Sequence, residues 1–163
     1  MFGERYRNSG YYLVAPQLPP GSYTVVAYAH STVTNTFTVA TSIVTATNVQ
    51  VSIDTPVVEA TVGQPFTIAG WAIDQTSTID PGIDVLHIYA IHVADNVTTL
   101  LGAAYTGGVR TDVGIVYGSQ FTNSGWGLSV SGLPAGRYEL VIYAHRAATG
   151  QFEVALTRFI TIQ

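Results

Sequence analysis

The 163-residue chain has no cysteine and no lysine, and it contains no long apolar run. Without cysteine, the fold depends neither on disulfides nor on thiolate-bound metal, and the redox compartment stays open. The six arginines are scattered and the formal net charge is −4, which argues against nucleic acid as a partner. No stretch approaches the roughly 20 apolar residues of a membrane-spanning helix, so we predict no membrane span.

Charge of either sign is scarce. Charged residues make up 10% of the chain, against roughly a quarter in an average globular domain. The surface must therefore be built largely from Thr, Ser, Asn, Gln, Gly and Tyr. Such neutral surfaces are common on extracellular β-proteins, whereas a cytosolic monomer usually relies on net charge for its solubility. We predict an extracellular or cell-surface location.

The chain does contain an internal repeat. Residues 2–39 and 117–154 align without a gap at an offset of about 115 residues, which is the size of one domain and too long for a solenoid repeat. We therefore expect residues 1–45 to be the C-terminal part of one module, with about three strands, and residues 46–163 to be one complete module. Met1 falls where the second copy has Val116, so we expect either an internal piece of a longer polyprotein or a chain that starts mid-module.

Seven short β-rich runs, separated by turn residues, fill the complete module, and no stretch has helical periodicity. The alternation is clearest at 137–146, where Tyr138, Leu140 and Ile142 fall on one face and Tyr143 and His145 on the other. We predict an all-β fold, an antiparallel Greek-key β-sandwich. In the least strand-like segment, Thr111-Asp112 predicts the cap of a single helical turn. The predicted strands are 49–53, 66–73, 85–94, 98–105, 126–130, 137–146 and 151–162.

A Leu-Pro-x-Gly-x-Tyr motif occurs twice, at residues 18–23 and 133–138. Its Pro and Gly favour a turn between sheets, and its Tyr is placed to bury the ring while the hydroxyl reaches the backbone upstream, as in the tyrosine corner of Greek-key sandwiches. The motif indicates the fold and carries no information on function. Its fold-defining residues are Pro19, Gly21 and Tyr23 in the first copy and Pro134, Gly136 and Tyr138 in the second.

Together with this corner, several segments resemble the immunoglobulin-like or fibronectin-III-like modules that occur in tandem in large secreted and surface proteins of bacteria. These segments are 65–74, 82–90, 110–113, 121–125 and the Tyr-Ala-His strand at 143–145. The resemblance covers residues 46–163 and the matching part of 1–45. It implies an immunoglobulin-like sandwich that serves as a spacer, a stalk or an adhesive and assembly unit, without an activity of its own.

Three aspartates, Asp74, Asp80 and Asp84, are candidates for a calcium site at the module edge, joined by Asp112 if the fold brings it near. Carboxylate oxygens are the hard ligands that this ion prefers, but the spacing does not match an EF-hand loop. Isolated aspartates in turns mostly cap backbone amides, which is the interpretation that we favour. We predict no other cofactor.

No catalytic residue is expected. The four histidines have no recognisable nucleophile motif, no cysteine and no lysine beside them, so we predict that the protein is not an enzyme. Tyr143, His145 and Trp126 are expected on the outward face, where they offer contact area to a glycan or a protein neighbour. Ordinary cross-strand pairing is the other interpretation of these aromatic residues, and the one that we favour.

The partial module has an apolar face with nothing on it, formed by Tyr23, Val25, Ala27 and Phe37, and such a face binds other polypeptide. We predict a non-enzymatic structural module of an extracellular bacterial protein. Its partners are copies of itself or neighbouring modules, and it builds a surface fibre, stalk or tandem array by head-to-tail β-sandwich packing or strand complementation. The alternative is a carbohydrate- or protein-binding accessory module of a secreted enzyme.

Overall fold

The computed structural model describes residues 10–13, 18–19 and 21–163, and for residues 154 and 155 it describes the backbone alone. The chain divides into two compact units, residues 1–47 and residues 48–163. Each unit is described by itself below. The division falls two residues after the predicted boundary, because the last strand of the first unit continues to Ala46.

The first unit contains one antiparallel hairpin, here called the first hairpin. It consists of β1 (Gly21–Ser31) and β2 (Thr36–Ala46), paired in register from Ser31 with Thr36 to Gly21 with Ala46. Asn35 closes the turn in the left-handed region, with φ of 56°, and its N–H donates to the Ser31 carbonyl over 2.8 Å. About three strands were predicted. Residues 10–13 are not in a strand, and the rest of the predicted third strand lies outside the described residues.

The second unit contains eight described strands, one more than predicted. The additional strand, β4, has only three residues, too few for a side-chain alternation to be visible in the sequence. The other strands agree with the predicted runs to within two residues at each end. The strands are β3 (Val49–Thr55), β4 (Ala60–Val62), β5 (Phe66–Asp74), β6 (Ile83–His92), β7 (Thr98–Tyr105), β8 (Gly125–Val130), β9 (Gly136–Arg146) and β10 (Gln151–Ile162).

These strands form two sheets, one of three strands in the order β3-β5-β8 and one of five in the order β4-β10-β9-β6-β7. All strand pairs are antiparallel except the short pairing of β4 with β10. Apolar side chains of both sheets form one continuous core, which includes the fully buried residues Ile68, Leu86, Ile88, Leu140 and Ile142. The predicted all-β sandwich is therefore confirmed.

A helical segment connects β7 to β8, consisting of α1 (Thr111–Tyr117) and a short 3-10 turn (Ser119–Phe121). Val113 and Phe121 anchor it by packing against Ile73. The predicted cap was wrong in detail. The residue before the helix is Arg110, the N-cap makes no side-chain hydrogen bond, and the Asp112 carboxylate accepts hydrogen bonds from the Arg110 guanidinium instead.

Strands β9 and β10 form the second hairpin, which is the repeat equivalent of the first. The pairing next to the turn is the same in both: His30 lies opposite Phe37, and His145 lies opposite Phe152. The second hairpin differs by a register shift between Val154 and Leu156, where one extra residue is accommodated as a β-bulge. This extra residue explains why the gapless alignment of the two copies ends at residue 154.

Candidate functional site

The two tyrosine corners have the same geometry. The Tyr23 hydroxyl donates to the Pro19 carbonyl over 2.8 Å, and the Tyr138 hydroxyl donates to the Pro134 carbonyl over 3.0 Å. Gly136 is required by a close approach, since a Cβ there would lie 2.6 Å from Nε2 of His92. The ring of His92 in turn packs on Tyr138 with centroids 4.9 Å apart. At the equivalent Gly21 a Cβ would meet only the Tyr23 ring, at 3.5 Å.

The apolar face of the first hairpin is uncovered. Tyr23, Val25 and Ala27 lie on one face of β1, at the positions that Tyr138, Leu140 and Ile142 occupy in the core of the second unit. Leu140 and Ile142 have no exposed surface, whereas the Val25 side chain is 47% exposed. In the described part of its unit, the first hairpin therefore has the core-facing surface of a sandwich hairpin but no opposing sheet.

The placement of Phe37 on this apolar face was wrong. The four-residue turn sets a register in which Phe37 lies opposite His30, and directly paired residues share one face of an antiparallel ladder. The ring of Phe37 lies 4.8 Å from that of His30, on the face opposite Val25. Phe37 belongs to a second, aromatic surface of the hairpin.

The prediction that Trp126 lies on the outward face was also wrong. Trp126 is 5% exposed and belongs to the central core of the second unit. It pairs with Gly70 across the β5–β8 ladder. Neither its indole N–H nor the buried Ser124 hydroxyl has a hydrogen-bond partner within the described part of the chain.

The three candidate calcium ligands each bind protein groups. Asp74, which is 1% exposed, accepts from Nε of Arg146 over 2.6 Å and from the N–H and hydroxyl of Thr76. Asp80 accepts from the Gly82 N–H over 2.8 Å, which is the turn-capping geometry. Asp84 lies 2.7 Å from Nδ1 of His145. No group of three or more metal-ligating side chains lies together among the residues that the structure describes.

The protonation of Asp74 follows from these contacts. Burial raises the pKa of its carboxyl, but the hydrogen bonds from Arg146 and Thr76 together outweigh burial, so that the pKa lies below the ordinary value. Asp74 therefore stays ionised while it joins the end of β5 to the end of β9. This contact could not be predicted from the sequence pattern, because Asp74 and Arg146 are 72 residues apart.

Two carboxylates, those of Asp54 and Asp112, surround the Arg110 guanidinium. Its Nη1 lies 2.6 Å from Asp54 and its Nη2 lies 2.7 Å from Asp112. The hydrogen bond from Arg110 lowers the pKa of Asp112 to about 2, and hydrogen bonds from Asp112 and Asp54 raise the pKa of Arg110 above its already high ordinary value. These groups are largely solvated, so the cluster positions the loop before α1 and adds little stability.

An aromatic groove lies on the outward face of the five-stranded sheet and encloses about 370 Å³. We call it the outer groove. Tyr89 and Tyr143 meet edge to face in it with centroids 5.7 Å apart, and Phe152 packs on His87 at 4.3 Å and on His145 at 4.8 Å. Of the residues predicted to be outward, Tyr143 lines this groove, and His145 lies beside it against Phe152. The groove is lined by His87, Tyr89, Ile91, Thr98, Val141, Tyr143 and Phe152.

Two solved structures are similar to the chain at low TM-score and low sequence identity. No protein-family model matches the chain, and no curated protein sequence matches it. The crystal structure of CopC from Methylosinus trichosporium OB3b has a TM-score of 0.41 and 11% identity, and the match covers 71% of this chain and 93% of that chain. The structure of domains 4 and 5 of the S-layer protein SbsC has a TM-score of 0.36 and 14% identity, over 88% of this chain and 58% of that chain. At these scores neither likeness carries an argument about function.

Among the residues that the structure describes, none of the helical segments has the length and hydrophobicity needed to cross a lipid bilayer.

Proposed function

We propose that the chain is a non-enzymatic structural segment of an extracellular bacterial protein, built from immunoglobulin-like modules in tandem. Polypeptide from a neighbouring module or from another copy covers the apolar face of the first hairpin, and this packing builds a surface fibre, stalk or array. One observation carries the proposal. The first hairpin repeats the strand pairing of the second, while its core-facing residue Val25 is half exposed and the equivalent Leu140 is fully buried.

The energetics support a covering partner. Burial of one large apolar side chain contributes about 1.5–3 kcal/mol, and an isolated two-stranded hairpin is marginally stable at best in water. In the second unit, β9 is flanked by β6 and β10 is flanked by β4. In the described part of the first unit, β1 and β2 pair only with each other, so each has a free edge that accepts another strand.

The composition supports both an extracellular setting and association between copies or modules. A chain without lysine and with 10% charged residues has little charge repulsion to oppose association, so packing between copies or modules is favoured over dispersal.

The test compares two neighbouring substitutions on opposite faces of β1. Val25→Asp places a carboxylate on the apolar face, and Val26→Asp places the same group on the other face, where Val26 is already 42% exposed. We expect the sedimentation coefficient of the full chain to rise with concentration, Val25→Asp to abolish that rise, and Val26→Asp to preserve it. A residue 48–163 fragment, which has a continuous core of its own, should stay monomeric.

The proposal is contradicted if the full chain sediments as a monomer at all concentrations, or if both aspartate variants associate as well as the unsubstituted chain. Growth beyond a dimer would indicate a head-to-tail contact that propagates, whereas a dimer alone would indicate two faces that close on each other.

A second candidate is a ligand-binding accessory module of a secreted enzyme. The observation that favours it is the outer groove, where His87, Tyr89 and Tyr143 present aromatic rings at the surface. This groove and the apolar face of the first hairpin are different surfaces, so the two candidates do not exclude each other.

A further inference from the structure

Four strands of the five-stranded sheet line the outer groove, and its rings come from three of them. His87 and Tyr89 come from β6, Tyr143 from β9 and Phe152 from β10, and these strands are adjacent in the order β10-β9-β6. Side chains two residues apart on a strand point to the same face, so the Tyr143-x-His145 and His87-x-Tyr89 pairs bring four rings together. Phe152 remains 44% exposed at the end of this row.

The same outward residues recur in the first hairpin. At the outward positions nearest the turn, the two copies are identical: Val, Tyr and His on the first strand, and Phe and Val on the second. On the inward face of the first strand, Tyr and Ala are identical at two positions, whereas Val25 and Ala27 correspond to Leu140 and Ile142. The five identical pairs are Val26 and Val141, Tyr28 and Tyr143, His30 and His145, Phe37 and Phe152, and Val39 and Val154.

The geometry of the recurring rings is also kept. His30 and Phe37 have centroids 4.8 Å apart, and His145 and Phe152 have centroids 4.8 Å apart. Core positions vary freely among apolar residues of similar volume, and exposed positions usually vary more. The ring set of Tyr, His and Phe is at least partly exposed in both copies and stays identical while two core positions beneath it change, which supports a contact with a ligand.

The chemistry of the groove selects the class of ligand. Its lining contains no carboxylate and no guanidinium, so it offers nothing to a charged ligand. The hydroxyls of Tyr89 and Tyr143 and the ring nitrogens of His87 have no hydrogen-bond partner in the described ranges 10–13, 18–19 and 21–163. Asp84 holds the neighbouring His145 ring through Nδ1 at 2.7 Å. The groove thus combines flat apolar rings with free hydroxyl and imidazole groups, in a volume within the range of small-ligand sites.

We infer that the outer groove binds the sugar rings of a neutral glycan. The C–H faces of a pyranose stack on Tyr143 and Phe152, and its hydroxyls exchange hydrogen bonds with Tyr89 and His87. The first hairpin carries the smaller form of the same surface, Tyr28 with His30 and Phe37, without the two rings that β6 adds. Two such surfaces in one chain suit a ligand that is itself a repeat, a polysaccharide.

The test uses the full chain and isothermal titration calorimetry with four neutral hexasaccharides: cellohexaose, xylohexaose, mannohexaose and chitohexaose. We expect at least one of them to bind, and Tyr143→Ala and Phe152→Ala each to weaken binding by about tenfold or more through loss of a stacking ring. Tyr143→Phe keeps the ring and should stay within about threefold of the unsubstituted chain. The control is Tyr105→Ala, which removes an exposed tyrosine of β7 outside the groove lining.

Three results would overturn the proposal. They are no binding of any neutral hexasaccharide at millimolar concentration, unchanged binding by the two alanine variants, and preferred binding of oligogalacturonate that weakens with salt. A change in self-association in Tyr143→Ala, without a change in glycan binding, would assign the surface to contact between copies. Circular dichroism melting of each variant checks that the loss of binding does not come from unfolding, and Tyr143→Phe keeps the test valid if Tyr143→Ala fails to fold.

Discussion

The first and second hairpins are nearly the same element in two environments. Both begin at a Leu-Pro-x-Gly-x-Tyr corner, both bond the tyrosine hydroxyl to the proline carbonyl, and both place a histidine opposite a phenylalanine beside the turn. The second is flanked by β4 and β6 and covered by the opposite sheet, whereas the first is exposed on both faces in its described part. The shared features therefore come from local sequence, and the buried core comes from the strands around the hairpin.

The differences between the copies follow the same division. On its inward face the second hairpin has Leu140 and Ile142, which are larger than the equivalent Val25 and Ala27 of the first. Where it meets the end of β5 it has Arg146, and the equivalent residue of the first hairpin is Ser31. The positions near the turn on the outward face do not differ. Two inward positions therefore differ in size between the copies, whereas the outward positions nearest the turn are identical.

The largest expected effect separates the two environments at equivalent core positions. Leu140→Ala should lower the free energy of unfolding of the second unit by about 2–5 kcal/mol, because the side chain is fully buried and leaves a cavity. Val25→Ala, at the equivalent exposed position of the first hairpin, should change the free energy of unfolding of the chain by less than about 0.5 kcal/mol. Urea denaturation of the full chain, at a concentration where it is monomeric, measures both. A similar cost for the two variants would show that the first hairpin is covered by its own chain.

The next effect concerns Arg146 and Asp74, a pair that the first hairpin lacks. Asp74→Ala leaves the arginine without its buried partner and should cost about 2–4 kcal/mol, somewhat below the 3–5 kcal/mol of a fully buried pair because Arg146 is partly exposed. Urea unfolding at neutral pH measures this cost. Glu139→Gln, on the outward face of β9, is the matched control and should be nearly neutral.

The same pair gives a pH dependence. The pKa of Asp74 is lower in the folded chain than its ordinary value of 3.8. Its contribution to stability is therefore complete above that value and is lost as the pH falls through the folded pKa. Unfolding measured below pH 4 should show less acid destabilisation in Asp74→Asn than in the unsubstituted chain. An identical slope in both would contradict the assignment.

The smallest effect distinguishes the two corners. Tyr138→Phe removes the hydrogen bond to the Pro134 carbonyl, which is partly buried, and should cost about 1 kcal/mol. Tyr23→Phe removes the equivalent bond at the exposed corner, where water replaces it. We expect a cost of about a few tenths of 1 kcal/mol in the same urea experiment. Equal costs would mean that the corner stabilises the hairpin regardless of its surroundings.

Local features of the fold could be predicted from the sequence, and features that depend on distant residues could not. The alternation of Tyr138, Leu140 and Ile142 predicted the inward face of β9, because it reflects a strand that is buried on one side. Phe37 was assigned to the wrong face because its orientation depends on the pairing register set by the turn, which apolar character alone does not reveal. Trp126 was assigned outward because aromatic residues occur on both faces of a strand, and only the opposing sheet decides between them.

The candidate site was predicted in part. Tyr143 and His145 were placed on the outward face from alternation alone. Their neighbours His87 and Tyr89 lie on β6, about 55 residues earlier in the sequence, and come together with them through strand order. One signal did exist in the sequence. The five outward positions that are identical between the copies mark the surface, once the inward and outward residues of the repeat are compared separately.

The register shift in β10 has a consequence for how these rings are displayed. Val154 still lies opposite Tyr143 and Leu156 opposite Ile142, so the bulge leaves the cross-strand neighbours intact and alters only the local coiling of the ribbon, since bulges sharpen the right-handed twist. We therefore expect the ring cluster at the tip of the second hairpin to be rotated about the ribbon axis, relative to its base, by more than the cluster of the first. If the outer groove binds a neutral glycan as inferred above, a stiff linear polymer would meet the two sets of rings at different pitches, and the two copies would favour different helical conformations of it.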